Sequence, residues 1–117
     1  GMQARYFENA VAELAALSAD QENALDAIRL EVQTTYQKVS STRESLRELE
    51  KSKRLTRGWI ASAIQANEAG LGPAKEIKDA LKEYFGIMAQ IHQLTGQYNA
   101  GLAELDKAAG TLGAKHE

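Results

Sequence analysis

The chain has 117 residues, of which 44% are hydrophobic, 26% charged and 6% aromatic, with one Pro, no Cys, a formal net charge of -2 and a pI of about 5.7. That is at most one domain's worth of chain; a disordered tail and a collagen-like array are excluded, and few aromatics amid much Ala, Leu, Glu, Gln and Lys favour helices packed along narrow seams over a broad globular core. Acids and bases are interspersed, so no basic field invites nucleic acid or anionic lipid, and the lack of Cys excludes disulfides and thiolate ligands while leaving the compartment open.

At the start, a Gly ahead of Met2 has the form of a protease scar, and the basic, apolar, small-residue order of a signal peptide is missing. No apolar run approaches the roughly 20 residues that span a bilayer. From Val11 the positions 11, 14, 18, 21, 25, 28, 32, 35, 39, 42, 46, 49, 53, 56, 60 and 63 step by three and four, reading V, L, S, Q, L, I, V, T, V, T, L, L, K, T, I, A. This is a heptad seam diluted by polar residues, and it predicts one long helix. Ser18 with Gln21, and Ser41 with Glu44, match a capping-box pattern and are the two places where the helix could break. The heptad phase runs through both and neither has Gly or Pro, so a continuous helix is expected; a break near Ser41 would give a three-helix bundle instead. Within "RELEKSKRLTR", Arg47 to Arg57, pairs such as Glu48 with Lys51 and Glu50 with Arg54 describe a solvated helix face, which could also edge a partner's groove.

The stretch "NEAGLGPAKEIKDAL" interrupts the pattern at residues 69–75. Gly70 can close the first helix in a left-handed conformation, Gly72 adds a second permissive residue, and Pro73 can open the next helix. After this turn Ile77, Leu81, Tyr84, Met88, Ile91, Thr95, Tyr98, Leu102, Leu105, Ala109 and Leu112 repeat the heptad spacing, beside a second stripe of Ala80, Ile87, Leu94, Gly101 and Ala108. The fold expected is therefore all-α, a long antiparallel helical hairpin or coiled coil over residues 2–112 with its tip at 69–75 and a flexible tail at 113–117. The first helix is too long for the second to cover, which leaves an N-terminal seam without a partner.

Catalysis needs a constellation that the chain does not offer. His92 and His116 are the only histidines, no His pair or Glu-x-x-His makes a helical metal site, and no phosphate-binding glycine motif occurs. No enzyme activity, cofactor, catalytic residue or metal ligand is expected. Trp59 reads as a packing residue beside the seam.

The second segment, "GLGPAKEIKDAL" followed by "QYNAGLAELDKAAGTL", resembles the C-terminal repeat of TolC-like outer membrane efflux proteins. The resemblance lies in a Gly-containing tip, then Ile77, Asp79 and Leu81, then Tyr98 and Asn99, then Ala109, Gly110, Thr111 and Leu112, with Val32 and Tyr36 of the long helix upstream. It implies a periplasmic α-barrel segment of a homotrimeric channel for efflux or type I secretion. The tip, Gly70, Leu71, Gly72 and Pro73, would dock a periplasmic adaptor, with an inner membrane transporter beyond it. Lys75 and Asp79 would face the duct and gate, and only the family's β-barrel, absent from this sequence, would enter the membrane. In TolC an aromatic residue precedes the tip glycine and an arginine follows it; here Ala69 and Lys75 stand nearest those places, so the same latch does not carry over. The alternative is a freestanding coiled-coil or helical-bundle interaction module.

Overall fold

The structure is a computed structural model that describes Gly1–His116. It is 95% helical, with α1 at Met2–Glu68 and α2 at Ala74–His116, and there is no strand among the described residues. α1 continues through Ser18 and Ser41 without a break, so the three-helix alternative is not realised. Ser18 sits among good helix formers, and at Ser41, whose neighbours are weaker ones, the packed seam of Val39, Thr42 and Leu46 carries the helix through, so neither capping box has a chain reversal to serve. α2 runs on past Leu112 to His116, through most of the stretch read from sequence as a tail; Glu117 lies outside the described residues.

The chain falls into two units. One is Gln37–Leu102, which holds the turn and an antiparallel pair of helical arms. In its first arm the burial follows the expected seam position by position: Val39, Thr56 and Ala63 are buried, and Thr42, Leu46, Leu49, Lys53 and Ile60 are half-buried. Its second arm agrees with expectation at Ile77, Tyr84, Ile91 and Tyr98, which are half-buried, and differs at the seam positions between them. Ala80, Ile87 and Gly101 are the buried positions there, and Leu94 on the same stripe is half-buried, whereas Leu81, Met88, Thr95 and Leu102 face outward. The stripe expected to flank the seam is its centre.

The physical reason is close approach. A Cβ built on Gly101 would stand 2.8 Å from Cγ2 of Val39, so the arms come together at small residues, and bulkier Leu and Met side chains are displaced to the side. Stepping both seams from that contact sets Tyr98 opposite Thr42, Tyr84 opposite Thr56, Ile60 opposite Ala80 and Ile77 opposite Ala63. Large faces small at these four levels, while Leu94 with Leu46, Ile91 with Leu49 and Ile87 with Lys53 fill the levels between them.

The other unit is Gly1–Tyr36 with Ala103–Glu117. Thr35 and Ala108 are buried in it, and Leu25, Ile28, Val32, Leu105 and Leu112 are half-buried. Every side chain in residues 2–23 is exposed, including those of the early seam positions Val11 and Leu14. The polar residues within the seams are satisfied locally: Thr42 Oγ1 donates to the Lys38 carbonyl at 2.8 Å and Thr56 Oγ1 to that of Ser52 at 2.7 Å, and among the described residues no buried side-chain polar atom lacks a partner.

Candidate functional site

The turn between the arms is built by the last helical residues of α1. Gly70 has φ 73, the left-handed conformation that glycine adopts without a steric penalty. Its N–H donates to the Asn67 carbonyl at 3.0 Å, and the Leu71 N–H donates to the Ala66 carbonyl at 2.8 Å. Those two bonds are the Schellman closure. The Gly72 N–H donates to the same Ala66 carbonyl at 3.2 Å, and Asn67 Nδ2 donates to the Gly72 carbonyl at 3.0 Å. A Cβ on Gly72 would lie 3.1 Å from the Ala66 Cβ, so this residue is pressed against the end of α1.

Pro73 stands just outside α2, one place earlier than expected from the sequence, and its carbonyl accepts the Glu76 N–H at 3.1 Å. With every bond directed inward, the backbone of residues 69–73 is fixed and Leu71 projects from it, 84% exposed. A Schellman turn ordinarily folds the apolar residue at this place back onto the helix. Here the residue three before the turn on that face is Ala66, too short to meet it, and Leu71 is left in solvent.

Lys75 and Asp79 are both exposed on the first turns of α2. They stand four residues apart, neighbours on a helix surface, yet no ion pair joins them. Glu76 between them is engaged differently: its Oε1 accepts the indole N–H of Trp59 at 3.4 Å, tying α2 to α1 just below the turn. The sequence predicts only packing for Trp59; the polar edge of its ring has this further role.

A second feature lies on one flank of the arms. Arg43, Leu46, Arg47, Glu50, Lys51 and Arg54 of α1, with Tyr98 of α2, line an open groove of about 400 Å³. Farther along the same flank an Arg57 Nη donates to the Tyr84 hydroxyl at 3.3 Å, its guanidinium 5.8 Å from the ring centroid, and Tyr84 meets Phe85 edge to face at 5.7 Å. Positions 43, 47, 54 and 57 recur at steps of four, seven and three. The heptad phase thus sorts the charged run that looked uniform in sequence and collects its arginines on one side. The acids pair locally: Glu44 with Arg47 at 3.6 Å, Glu48 with Lys51 at 3.6 Å, and Glu50 with Lys53 at 3.4 Å, the last replacing the expected Glu50–Arg54 pair because Lys53 leans out of the seam toward it.

Among the described residues no cluster of three metal-binding side chains exists, and no helix is long and apolar enough to cross a membrane. His92 is exposed on α2 and has no acid or base partner among the ion pairs. The arrangement offers surfaces for docking, a rigid apolar knob at the turn and an arginine-lined flank. No family model, curated protein or solved structure matches the chain.

Proposed function

We propose that the hairpin is a periplasmic α-barrel segment of a TolC-like outer membrane channel for efflux or type I secretion, lining the duct as part of a homotrimer and docking an adaptor at its tip. The observation that carries this reading is Leu71. An apolar side chain held 84% exposed, on a turn whose backbone groups make six hydrogen bonds, stands where a connector more commonly carries a polar residue, and it is apt for a docking knob. Support also comes from the all-helical antiparallel arms and from the resemblance of "GLGPAKEIKDAL" and "QYNAGL" to the family's returning helix.

In this reading Gly70, Gly72 and Pro73 shape the knob, while Lys75 and Asp79 face the entrance of the duct. A ring of Asp79 carboxylates from three copies favours cations there, partly offset by Lys75. The test is Leu71→Asp in the full-length channel. It keeps the turn's backbone bonds, and the expected outcome is loss of export with trimer assembly intact; normal export from that variant would reduce the tip to a connecting turn. Replacing Gly72 by a bulky residue is the less selective probe, because it pushes on Ala66 as well as on a partner. Asp79→Asn is expected to change single-channel cation selectivity without affecting assembly.

A further inference from the structure

The flank that carries the arginines also carries apolar surface. Leu81, Met88 and Leu102 lie three or four residues from Tyr84 and Tyr98, hence on the same side of α2 as the groove, and they remain 37–41% exposed with Phe85 beside them. Arg43, Arg47, Arg54 and Arg57 run along α1 opposite this strip, with Glu50, paired to Lys53, among them. Of these, Arg47 pairs with Glu44 and Arg57 bonds to Tyr84, while Arg43 and Arg54 form no ion pair among the described residues. An apolar strip bordered by a row of arginines fits an amphipathic helix with acidic margins.

The same sequence contains such a helix. In residues 2–23 of α1, Phe7, Val11 and Leu14 step by four and three with Leu17 beside them, and all are exposed. The charges around that stripe are Glu8, Glu13, Asp20 and Glu22 against Arg5 alone. Lengths agree as well: at 1.5 Å per residue the segment from Met2 to Asn23 and the strip from Leu81 to Leu102 each extend about 32 Å.

We propose that the arginine-bordered strip of one copy is covered by residues 2–23 of a second copy of this chain. Applied reciprocally, the contact gives a two-fold dimer in which each copy lends its N-terminal segment and receives its partner's. Both apolar stripes leave water, and the acidic margin meets Arg43 and Arg54. The proposal stands apart from the channel reading, which is tested by export and not by association of this chain.

Sedimentation equilibrium of the full chain over a wide concentration range tests it, using two surface variants, R43E/R54E and E13K/D20K. These positions are exposed, so circular dichroism is expected to show unchanged helix. The wild type is expected to dimerise with an affinity that falls as salt is added. Each variant alone is expected to dimerise about tenfold more weakly, whereas a mixture of the two regains wild-type affinity, because in the mixed dimer every reversed charge meets a reversed partner. The proposal is overturned by a wild type that stays monomeric throughout, by compaction independent of concentration, by variants that dimerise like the wild type, or by variants that remain weak when mixed.

Discussion

Glycine has opposite value at different places in α2. At Gly86 and Gly96 a Cβ would meet nothing within 4 Å, so each is a plain helix interior position where glycine costs up to about 1 kcal/mol relative to alanine. At Gly101 the same atom would collide with Val39, whose branched side chain has essentially one rotamer in a helix and cannot turn aside. Gly86→Ala is therefore expected to stabilise the protein by about 0.5–1 kcal/mol in urea unfolding. Gly101→Ala is expected to destabilise it, since overpacking costs about 1–3 kcal/mol and outweighs the gain in helix propensity. Val39→Ala in the Gly101→Ala background is expected to recover part of that loss; equal effects at Gly86 and Gly101 would contradict the close approach of the arms.

At the level of the helices, the first seam was legible in the sequence and the second was legible only in part. Along α1 from Leu25 to Ala63 the polar dilution did not hide the period, because Thr42 and Thr56 satisfy their hydroxyls on their own helix and so tolerate the interior. Along α2 two stripes competed, and the seam takes Ile77, Tyr84, Ile91 and Tyr98 from one and Ala80, Ile87, Leu94 and Gly101 from the other. Hydrophobicity puts Leu81, Met88 and Leu102 inside; contact between backbones puts Ala80, Ile87 and Gly101 there. Only the partner's geometry decides between them. The consequence for stability is direct. Ile87, 5% exposed, is expected to cost about 2–4 kcal/mol as Ile87→Ala, whereas Leu102→Ala at 41% exposure is expected to cost about 1 kcal/mol or less. Denaturant midpoints that rank the two residues the other way would overturn the observed burial. The turn was readable for its glycines and proline, because a left-handed cap and a helix start leave strong local marks. The exposure of Leu71 and the gathering of Arg43, Arg47, Arg54 and Arg57 on one flank were not, since both depend on what stands across the seam.

For the molecule as a whole, order is expected to be uneven. Residues 2–23 form helix without a single buried side chain, so in a monomer they are held by local propensity alone, which is marginal for a helix in water. Amide hydrogen exchange of a dilute sample is expected to be fastest there and slowest around Val39, Thr56, Ile87 and Gly101. Protection of residues 2–23 is expected to rise with protein concentration if the second copy covers them; uniform protection along α1 at every concentration would contradict both expectations.

The pairing of large with small across the arms has a mechanical consequence. Sliding one arm by a heptad in one direction drives Tyr98 onto Leu49 and Gly101 onto Leu46; sliding in the other brings Tyr84 onto Leu49 and Ala80 onto the charged Lys53. The observed register fits these levels best, and the nearest other register that keeps seam on seam lies one heptad away. A load pulling the arms past each other therefore meets a barrier at every intermediate offset, and the hairpin is expected to hold its length until it gives way in a jump of about 10 Å, one heptad, instead of creeping. Within Gln37–Leu102, a pair of arms so notched can carry axial force along its length with no disulfide to pin it.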